Sequence, residues 1–366
     1  MTFFTCIVLV LSGILTVDYV PPPDGIGSEI LPLNSRSFGM GGVCTGVPDN
    51  TGFSMMNPAA SAWRLEGGVY FGGRYSEGDV KAWDDQFGFP TISAFVPLPG
   101  GIVLTGTIDG RSRVDTLLHK AVNDNYEGDF SWSGGLAETY VGLSVRTSDW
   151  LAFSIGGRSS FGNILSDITL ICTSSINPLP ANSIYRDDAR FRMAWGGVFG
   201  IHVNTDRFGL GFSMSTDRKG TLDVNRDFLS TGQADTSTSL YSLPGEISVG
   251  ISCRPVERLL VGMDIYSRKV MNILSSRTDP GSIYSFGVEV NAGRGISARS
   301  GFSYMDGLWR DGAKAFTAGA GYSFSEGRAG IDLAAGYQYW RDIQDHFQEE
   351  TVLSISLWAT EKWLGR

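Results

Sequence analysis

The chain has 366 residues, of which 42% are hydrophobic and only 18% are charged, and its formal net charge is -9. This acidic balance lacks the basic patch that nucleic-acid binding requires, so we exclude nucleic acid as a partner. The 48 glycines are about twice the usual share of roughly 7%, which is unlike a helical protein. The length would allow two or three soluble domains, but the strand pattern continues without a linker, and we predict one large all-β unit.

Residues 1–16, MTFFTCIVLVLSGILT, form an apolar run. Such a run fits the hydrophobic region of a secretory signal and is too short for a transmembrane helix. A positively charged start and a clear cleavage site are both missing, which makes the signal atypical. We predict a signal peptide over residues 1–16 and therefore export of the chain.

Residues 34–63 do not alternate and are rich in Gly, Asn and Ser. This composition is typical of a compact irregular segment, in which glycine permits positive φ and close approach of the backbone. An alternative interpretation is an ordinary loop that caps a soluble β domain.

The run GMGG, the Asp of VPDN and the following NPA resemble the N-terminal signature of the FadL-type outer-membrane transport superfamily, and especially of its PorV/PorQ-like branch. The resemblance implies a barrel of fourteen strands with the segment folded into it as a hatch. It also implies a division into residues 17–64, which contain the hatch, and residues 65–366, which form the barrel. The hatch residues that it implies are Gly39, Gly41, Gly42, Asp49, Asn57 and Pro58.

Residues 243–268, LPGEISVGISCRPVERLLVGMDIYSR, show the strand pattern most clearly. Ile247, Val249 and Ile251 alternate with small or polar residues on the first limb, as Val261 and Met263 do on the second. Because successive side chains of a strand point to opposite faces, this hairpin has one apolar and one polar face.

Similar runs recur along the chain, and every second connection between them is short. An outer-membrane barrel has an even number of strands of about ten residues, short periplasmic turns and longer outer loops. We therefore predict a 14-stranded antiparallel transmembrane β-barrel in the outer membrane, with an N-terminal hatch segment inside the lumen and both termini periplasmic. The predicted strands lie near residues 66–76, 88–98, 101–110, 136–147, 149–160, 190–203, 206–218, 244–254, 258–268, 281–290, 295–306, 313–324, 327–340 and 349–360. The longest predicted loops are residues 111–135, 161–189 and 219–243.

The two faces of these strands differ in charge. The outward face carries no charge, as lipid requires, whereas charged side chains are tolerated in a wet or paired lumen. The charged residues predicted to face inward are Arg74, Asp109, Arg146, Arg158, Arg192, Glu246, Asp264, Glu289, Arg299 and Asp332.

Catalytic and metal-binding motifs are not found in the sequence. Its three histidines, His119, His202 and His346, are scattered, and no motif marks a nucleophile. A P-loop and a paired Cys/His spacing are also missing. We predict that the chain is not an enzyme and needs no metal or cofactor.

Two functions follow from the resemblance. The FadL-type superfamily implies passive, hatch-gated passage of hydrophobic small molecules across the outer membrane, through the lumen or a lateral gap. The PorV/PorQ-like branch implies an accessory barrel in secretion or surface attachment, with secretion-system or secreted proteins as partners. For the first function the predicted lumen lining is Tyr70, Phe95, Tyr140, Leu260, Tyr266 and Trp340.

Overall fold

A computed structural model defines the fold. It describes residues 28–29, 34–48, 55–78, 86–87, 91–123, 126–172, 183–228, 233–272, 277–306, 312–341 and 347–361. The predicted signal peptide lies outside the described residues. Among the residues that are described, no helix is both long and apolar enough to cross a membrane.

Fourteen antiparallel strands form a closed barrel, which confirms the predicted fold class. Each strand pairs with the next along the chain, and the last pairs with the first through contacts such as Leu357 opposite Phe71. The strands are β1 Gly67–Gly78, β2 Thr91–Leu98, β3 Ile102–Asn123, β4 Tyr126–Arg146, β5 Leu151–Cys172, β6 Ser183–Asn204, β7 Phe208–Ser215 with Arg218–Phe228, β8 Gln233–Leu243 with Glu246–Val256, β9 Leu259–Asn272, β10 Arg277–Gly293, β11 Ile296–Asp306, β12 Ala313–Phe324, β13 Ala329–Arg341 and β14 Phe347–Glu361. Two short strands, Ser28–Glu29 and Gln86–Phe87, pair with β3 and β1.

The outer face of the barrel is an apolar band. In β8 the side chains of Ile247, Val249 and Ile251 are exposed, whereas Ser248 and Ser252 between them are buried on the inward face. Exposed apolar side chains continue around the barrel, as they do in a wall that meets lipid.

Aromatic side chains lie at both ends of this band. Tyr337, Tyr339 and Phe347 form a row at the end of the barrel that carries the longer connections, with ring centroids 6.1 and 5.9 Å apart. Tyr322 and Phe324 lie 6.0 Å apart at the opposite end, next to a short turn. Such rows are typical of the two interfaces between membrane and water.

Four strands are much longer than a membrane requires. β3, β5 and β6 have 22 residues each and β4 has 21. At roughly 3.3 Å per residue they are about 70 Å long, whereas the apolar band of such a barrel is about 25 Å tall. These strands therefore extend well beyond the band at the long-loop end.

The long loops predicted at residues 111–135, 161–189 and 219–243 are consequently wrong, because most of these residues are in strands. In the extension of β5, Ile164, Ser166 and Ile168 are buried on the inward face, while Leu165 and Asp167 point outward. Above the membrane the outward face meets water, so its polarity no longer matches the apolar-out pattern on which the prediction relied.

The prediction that Arg192 faces inward is also wrong. In β6 the residues Phe191 and Ala194 lie opposite Gly162 and Ser160, so three residue steps on one strand match two on the other. This β-bulge shifts the alternation by one residue. Phe191 is therefore buried, and 72% of the Arg192 side chain is exposed on the outside.

The faces can be tested on β14, where Ile355 lies in the middle of the outward row and Thr351 lies toward its end. Ile355→Arg should lower the free energy of unfolding in lipid vesicles by about 2–4 kcal/mol, because an arginine at the membrane midplane is poorly solvated. The control Thr351→Arg, near the interface, should cost about 0–1 kcal/mol. Equal urea unfolding curves for the two variants would contradict the assignment.

Candidate functional site: the barrel lumen

The N-terminal segment, residues 34–48 and 55–64, packs against the inward face of the barrel. It contains the short helix α1, Ser35–Gly39, and the 3₁₀ turn Pro58–Trp63. Asn34 and Asn57 cap these two elements by accepting hydrogen bonds from Ser37 N and Ala59 N, at 2.8 and 3.2 Å. All its residues are buried except Phe38 and Trp63, which are half-buried.

Glycines on the wall allow the segment to lie directly against the strands. A Cβ added at Gly301 would collide with the backbone of Met40 and Gly41. The wall glycines at which an added Cβ would contact the segment are Gly200, Gly209, Gly211, Gly250, Gly262, Gly287, Gly301, Gly319 and Gly336. Gly211 pairs directly with Gly250, and Gly287 pairs directly with both Gly262 and Gly301. We call these nine wall glycines the glycine belt. Within the segment Gly41 and Gly42 have φ of 71° and 99°, which favour glycine.

A chain of ion pairs ties α1 to the wall. Arg36 donates two hydrogen bonds of 2.8 Å to Glu289 on β10. Arg299 on β11 bonds to the same carboxylate at 2.6 Å and to Asp332 on β13 at 2.5 Å. A bidentate arginine–carboxylate pair with low exposure is among the stronger polar contacts in proteins.

Asp264 on β9 holds the loop that follows α1. Its carboxylate accepts hydrogen bonds from the backbone N–H groups of Cys44 and Thr45, both at 2.6 Å. The side-chain amide of Asn57 donates to Thr45 O at 2.8 Å and to Ile201 O on β6 at 3.2 Å. These bonds join the two halves of the segment to each other and to the wall.

The end of the segment is attached to β4 and β6. The indole N–H of Trp63 donates to Nδ1 of His202 at 2.8 Å, and His202 is fully buried. Ser144 on β4 donates to Pro58 O at 2.8 Å. His202 thus serves to anchor the segment in this structure.

Four charged side chains form a closed ring on the inward face, which we call the Arg–Glu quartet. Arg158 donates to Glu138 and, at 2.5 Å, to Glu246. Arg218 donates to the same two carboxylates, with 3.1 Å to Glu246. All four are buried, so breaking one pair would leave an uncompensated charge in a low-dielectric site.

An apolar cluster lies on the long-loop side of the quartet, on the inward face of the extended strands β4 to β8. Its members are Trp132, Leu136, Ile164, Ala189, Phe191, Ala194, Leu222, Val224, Tyr241 and Leu243. Phe191 and Tyr241 meet edge to face with centroids 5.1 Å apart. The Tyr241 hydroxyl donates to Arg192 O at 2.7 Å. The cluster is therefore a packed apolar core in the extension, and the Tyr241 hydroxyl within it is paired.

All six residues predicted to line the lumen are buried. Tyr140 packs with Met55, and Leu260 with Met40. Tyr266 packs with Cys44 in the same way. Tyr70 accepts a hydrogen bond from Ser35 N. The ring centroid of Phe95 lies 3.6 Å from the guanidinium carbon of Arg64. The sixth residue is Trp340. Five of the six thus contact the N-terminal segment, and their part in a ligand path stays a prediction.

The predicted hatch residues Gly39, Gly41, Gly42, Asn57 and Pro58 belong to the segment, and Asp49 lies outside the described residues. Sequence reasoning missed the apolar cluster. Its signal was the inward series Ile164, Ser166 and Ile168, in which isoleucines lie on the face that is small and polar elsewhere in the barrel.

A closed antiparallel barrel with an apolar outer band and a filled lumen defines a transmembrane β-barrel of the outer-membrane class. No protein-family model matches the sequence, and no curated protein matches it either. Solved structures do match, and the fold is that of the FadL-type barrels. Fold and apolar band together support an outer-membrane location.

Three solved structures illustrate the match. A FadL homologue of Pseudomonas aeruginosa has a TM-score of 0.74 at 13% identity, covering 91% of this chain and 99% of its own. The Pseudomonas putida toluene transporter TodX has a TM-score of 0.67 at 14% identity, covering 92% and 100%. CymD, a monoaromatic hydrocarbon channel, has a TM-score of 0.61 at 15% identity, covering 92% and 98%. TodX is a transporter and CymD a channel, which agrees with the expectation that this chain is not an enzyme.

The glycine belt can be tested by adding side chains. Gly301→Val should displace residues 40 and 41 from the wall and expose the segment to protease in the folded barrel, because its Cβ overlaps their backbone. Gly106→Val on β3 is the control, since an added Cβ there meets nothing within 4 Å. Limited proteolysis followed by mass spectrometry should show cleavage within residues 34–64 only in the first variant. Identical digests of the two variants would refute this packing role.

Proposed function

We propose that this chain is an outer-membrane barrel for passive passage of hydrophobic small molecules, with the N-terminal segment as its hatch. The observation that carries the proposal is the apolar cluster on the inward face of the extended strands. The toluene transporter and the monoaromatic hydrocarbon channel of the same fold agree with this class of solute.

The apolar cluster is the proposed entry site. It lies at the long-loop end, which we assign to the cell exterior, with the short turns and both termini periplasmic. Small-molecule sites are mainly apolar with few polar groups. An apolar solute that leaves water and inserts among these buried side chains gains about 25 cal/mol for each Å² of apolar area it buries.

The N-terminal segment is the proposed hatch. It is attached by side-chain contacts and not by strand pairing, among them Arg36 to Glu289, Asp264 to the backbone of residues 44 and 45, and Trp63 to His202. A segment held in this way can move when water replaces a few of these contacts, whereas a segment paired into the sheet as a strand could not. In its present position it closes the lumen to water-soluble molecules.

The Arg–Glu quartet separates the entry site from the hatch, and an apolar solute would have to disrupt buried ion pairs to pass it directly. A break in the wall provides another route. Among the described pairings, Gln233–Leu243 of β8 pairs only with β7, whereas Glu246–Val256 pairs with both β7 and β9. This lateral gap opens beside Tyr241 and Leu243 of the cluster, in the extension beyond the apolar band, so a solute can enter or leave the cluster from the side without passing the quartet.

Uptake by cells that express the chain tests the entry site. Ile164→Asn should reduce uptake of a radiolabelled alkylbenzene about tenfold, because a polar amide replaces part of the apolar surface. Leu165→Asn is the matched control, since Leu165 is the next residue but faces outward, and its uptake should equal that of the unmodified chain. Heat-dependent migration on gels verifies that each variant is a folded barrel in the outer membrane. If the Ile164→Asn variant does not fold, Ile164→Ala replaces it.

The proposed function would be overturned if cells with the folded, unmodified barrel took up no more alkylbenzene than cells without the chain. Mass spectrometry of the gently extracted barrel then decides about the second candidate, an accessory role in secretion. Secreted proteins in fixed ratio with no bound apolar compound would favour that role, which rests on the resemblance of the GMGG segment.

The hatch is tested by solute leak. Asp264→Ala removes the acceptor of two backbone hydrogen bonds and should let a small sugar enter vesicles that contain the barrel, in a swelling assay. Asp149→Ala in an exposed short turn is the control and should stay sealed. If vesicles with each of the two variants remain impermeable to the sugar, Asp264 does not keep the segment in the position that closes the lumen.

A further inference from the structure

An open groove of about 750 Å³ lies on the outside of the barrel, at the bulge of β6. Phe161, Asn163, Arg190, Arg192 and Met193 line it. Three of these residues are largely exposed: the exposed fraction is 63% for the Arg190 side chain, 72% for the Arg192 side chain and 55% for Met193. Gly162 and Phe191 at the bulge also line the groove, and its exposed side chains point away from the lumen.

The groove lies at the level where the apolar band ends. On the outward face of β6, Phe199 and Trp195 follow one another from the short turn, and Met193 and then Arg192 come next. From Asn204 to Trp195 the strand advances nine residues, which at roughly 3.3 Å per residue and the usual strand tilt spans about 23 Å of height. This is close to the height of about 25 Å for the band of such barrels. The two arginines are therefore level with the lipid headgroups.

The bulge is the reason that a charge is found here. Without the extra residue the alternation would direct Arg192 into the lumen, against the apolar cluster. The bulge places Arg192 and Met193 side by side on the outside, with the methionine toward the acyl chains and the arginine toward the headgroups. β-bulges are a common means of redirecting a side chain.

The charges around the groove favour an anion. Arg190 contacts Asp188 at 2.6 Å and Arg192 contacts Asp223, both as exposed pairs that contribute little to stability. Each guanidinium has five N–H donors, so one carboxylate does not exhaust it. Exposed Lys219 lies opposite Trp195 on the neighbouring strand. The two arginines thus keep N–H donors that their paired carboxylates do not occupy.

We propose that this groove binds the phosphate of a phosphorylated glycolipid in the outer leaflet. Arg190 and Arg192 bind the phosphate, the Asn163 amide faces the sugar, and Phe161 and Met193 contact the first methylenes of the acyl chains. The breadth of the groove and its amide suit a sugar headgroup better than the slim headgroup of a glycerophospholipid. The site is independent of what passes through the lumen, and it requires that the long-loop end faces the exterior.

Native mass spectrometry of the purified barrel, titrated with a bis-phosphorylated lipid A, tests the site. The double variant Arg190→Gln with Arg192→Gln should weaken binding about 30-fold, which corresponds to about 1 kcal/mol for each basic residue lost at a membrane surface. The matched control is Arg186→Gln, an exposed and ion-paired arginine on the same face but farther above the band, and it should bind as the unmodified chain does. The double variant with lysine at both positions should retain most of the binding.

Equal binding by the glutamine double variant, the Arg186 control and the unmodified chain would overturn the site. Equal or tighter binding of phosphatidylglycerol in competition would overturn the assignment to a glycolipid. All variants are compared after heat-dependent migration shows a folded barrel. If a glutamine variant does not fold, the lysine double variant replaces it. Lipid A binding by the lysine variant should then weaken severalfold at high salt.

Discussion

The pairing of every backbone amide within the protein is the constraint on which this structure depends. Hydrocarbon offers no hydrogen-bond partner, so a sheet crosses a membrane only when it closes on itself. Pairing of β14 with β1 meets this requirement, and strict alternation of side chains follows, because one face of every strand meets lipid and the other meets the lumen. The exceptions among the described pairings include the outer half of β8 and the outer part of β3, which pair on one side only. Both lie in the extensions beyond the band, where water can satisfy an open edge.

Closure with fourteen strands creates a second problem, because a lumen of this width is not filled by the side chains of its own wall. The N-terminal segment fills it, and the glycine belt determines how closely the segment can approach. Close approach also removes water from the polar groups on both surfaces, and each must then find a partner. Arg36, Asp264 and His202 provide such partners for charges and backbone groups that would otherwise be buried without one.

The number of strands and the direction of their faces could be predicted from the sequence, because a period of two is a local property and short turns interrupt it visibly. The lengths of β3 to β6 could not, since the predicted pattern assumed an apolar outer face, and above the membrane residues such as Leu165 and Asp167 face water. The bulge at Arg192 changes the phase through one extra residue, which no local pattern reveals. The Arg–Glu quartet joins residues up to 108 positions apart, from Glu138 to Glu246, and only the closed barrel brings them together.

The bulge in β6 marks the place where the wall changes its role. Below it, Phe199 faces lipid while the inward face of the same strand contacts the N-terminal segment through Gly200. Above it, Phe191 faces inward to the apolar cluster while Arg190 and Arg192 face water and headgroups. The barrel thus inverts its polarity at one height, from apolar outside to apolar inside. An inverted extension of this kind shelters apolar side chains from water outside the membrane, and it lies beside the open edge of β8.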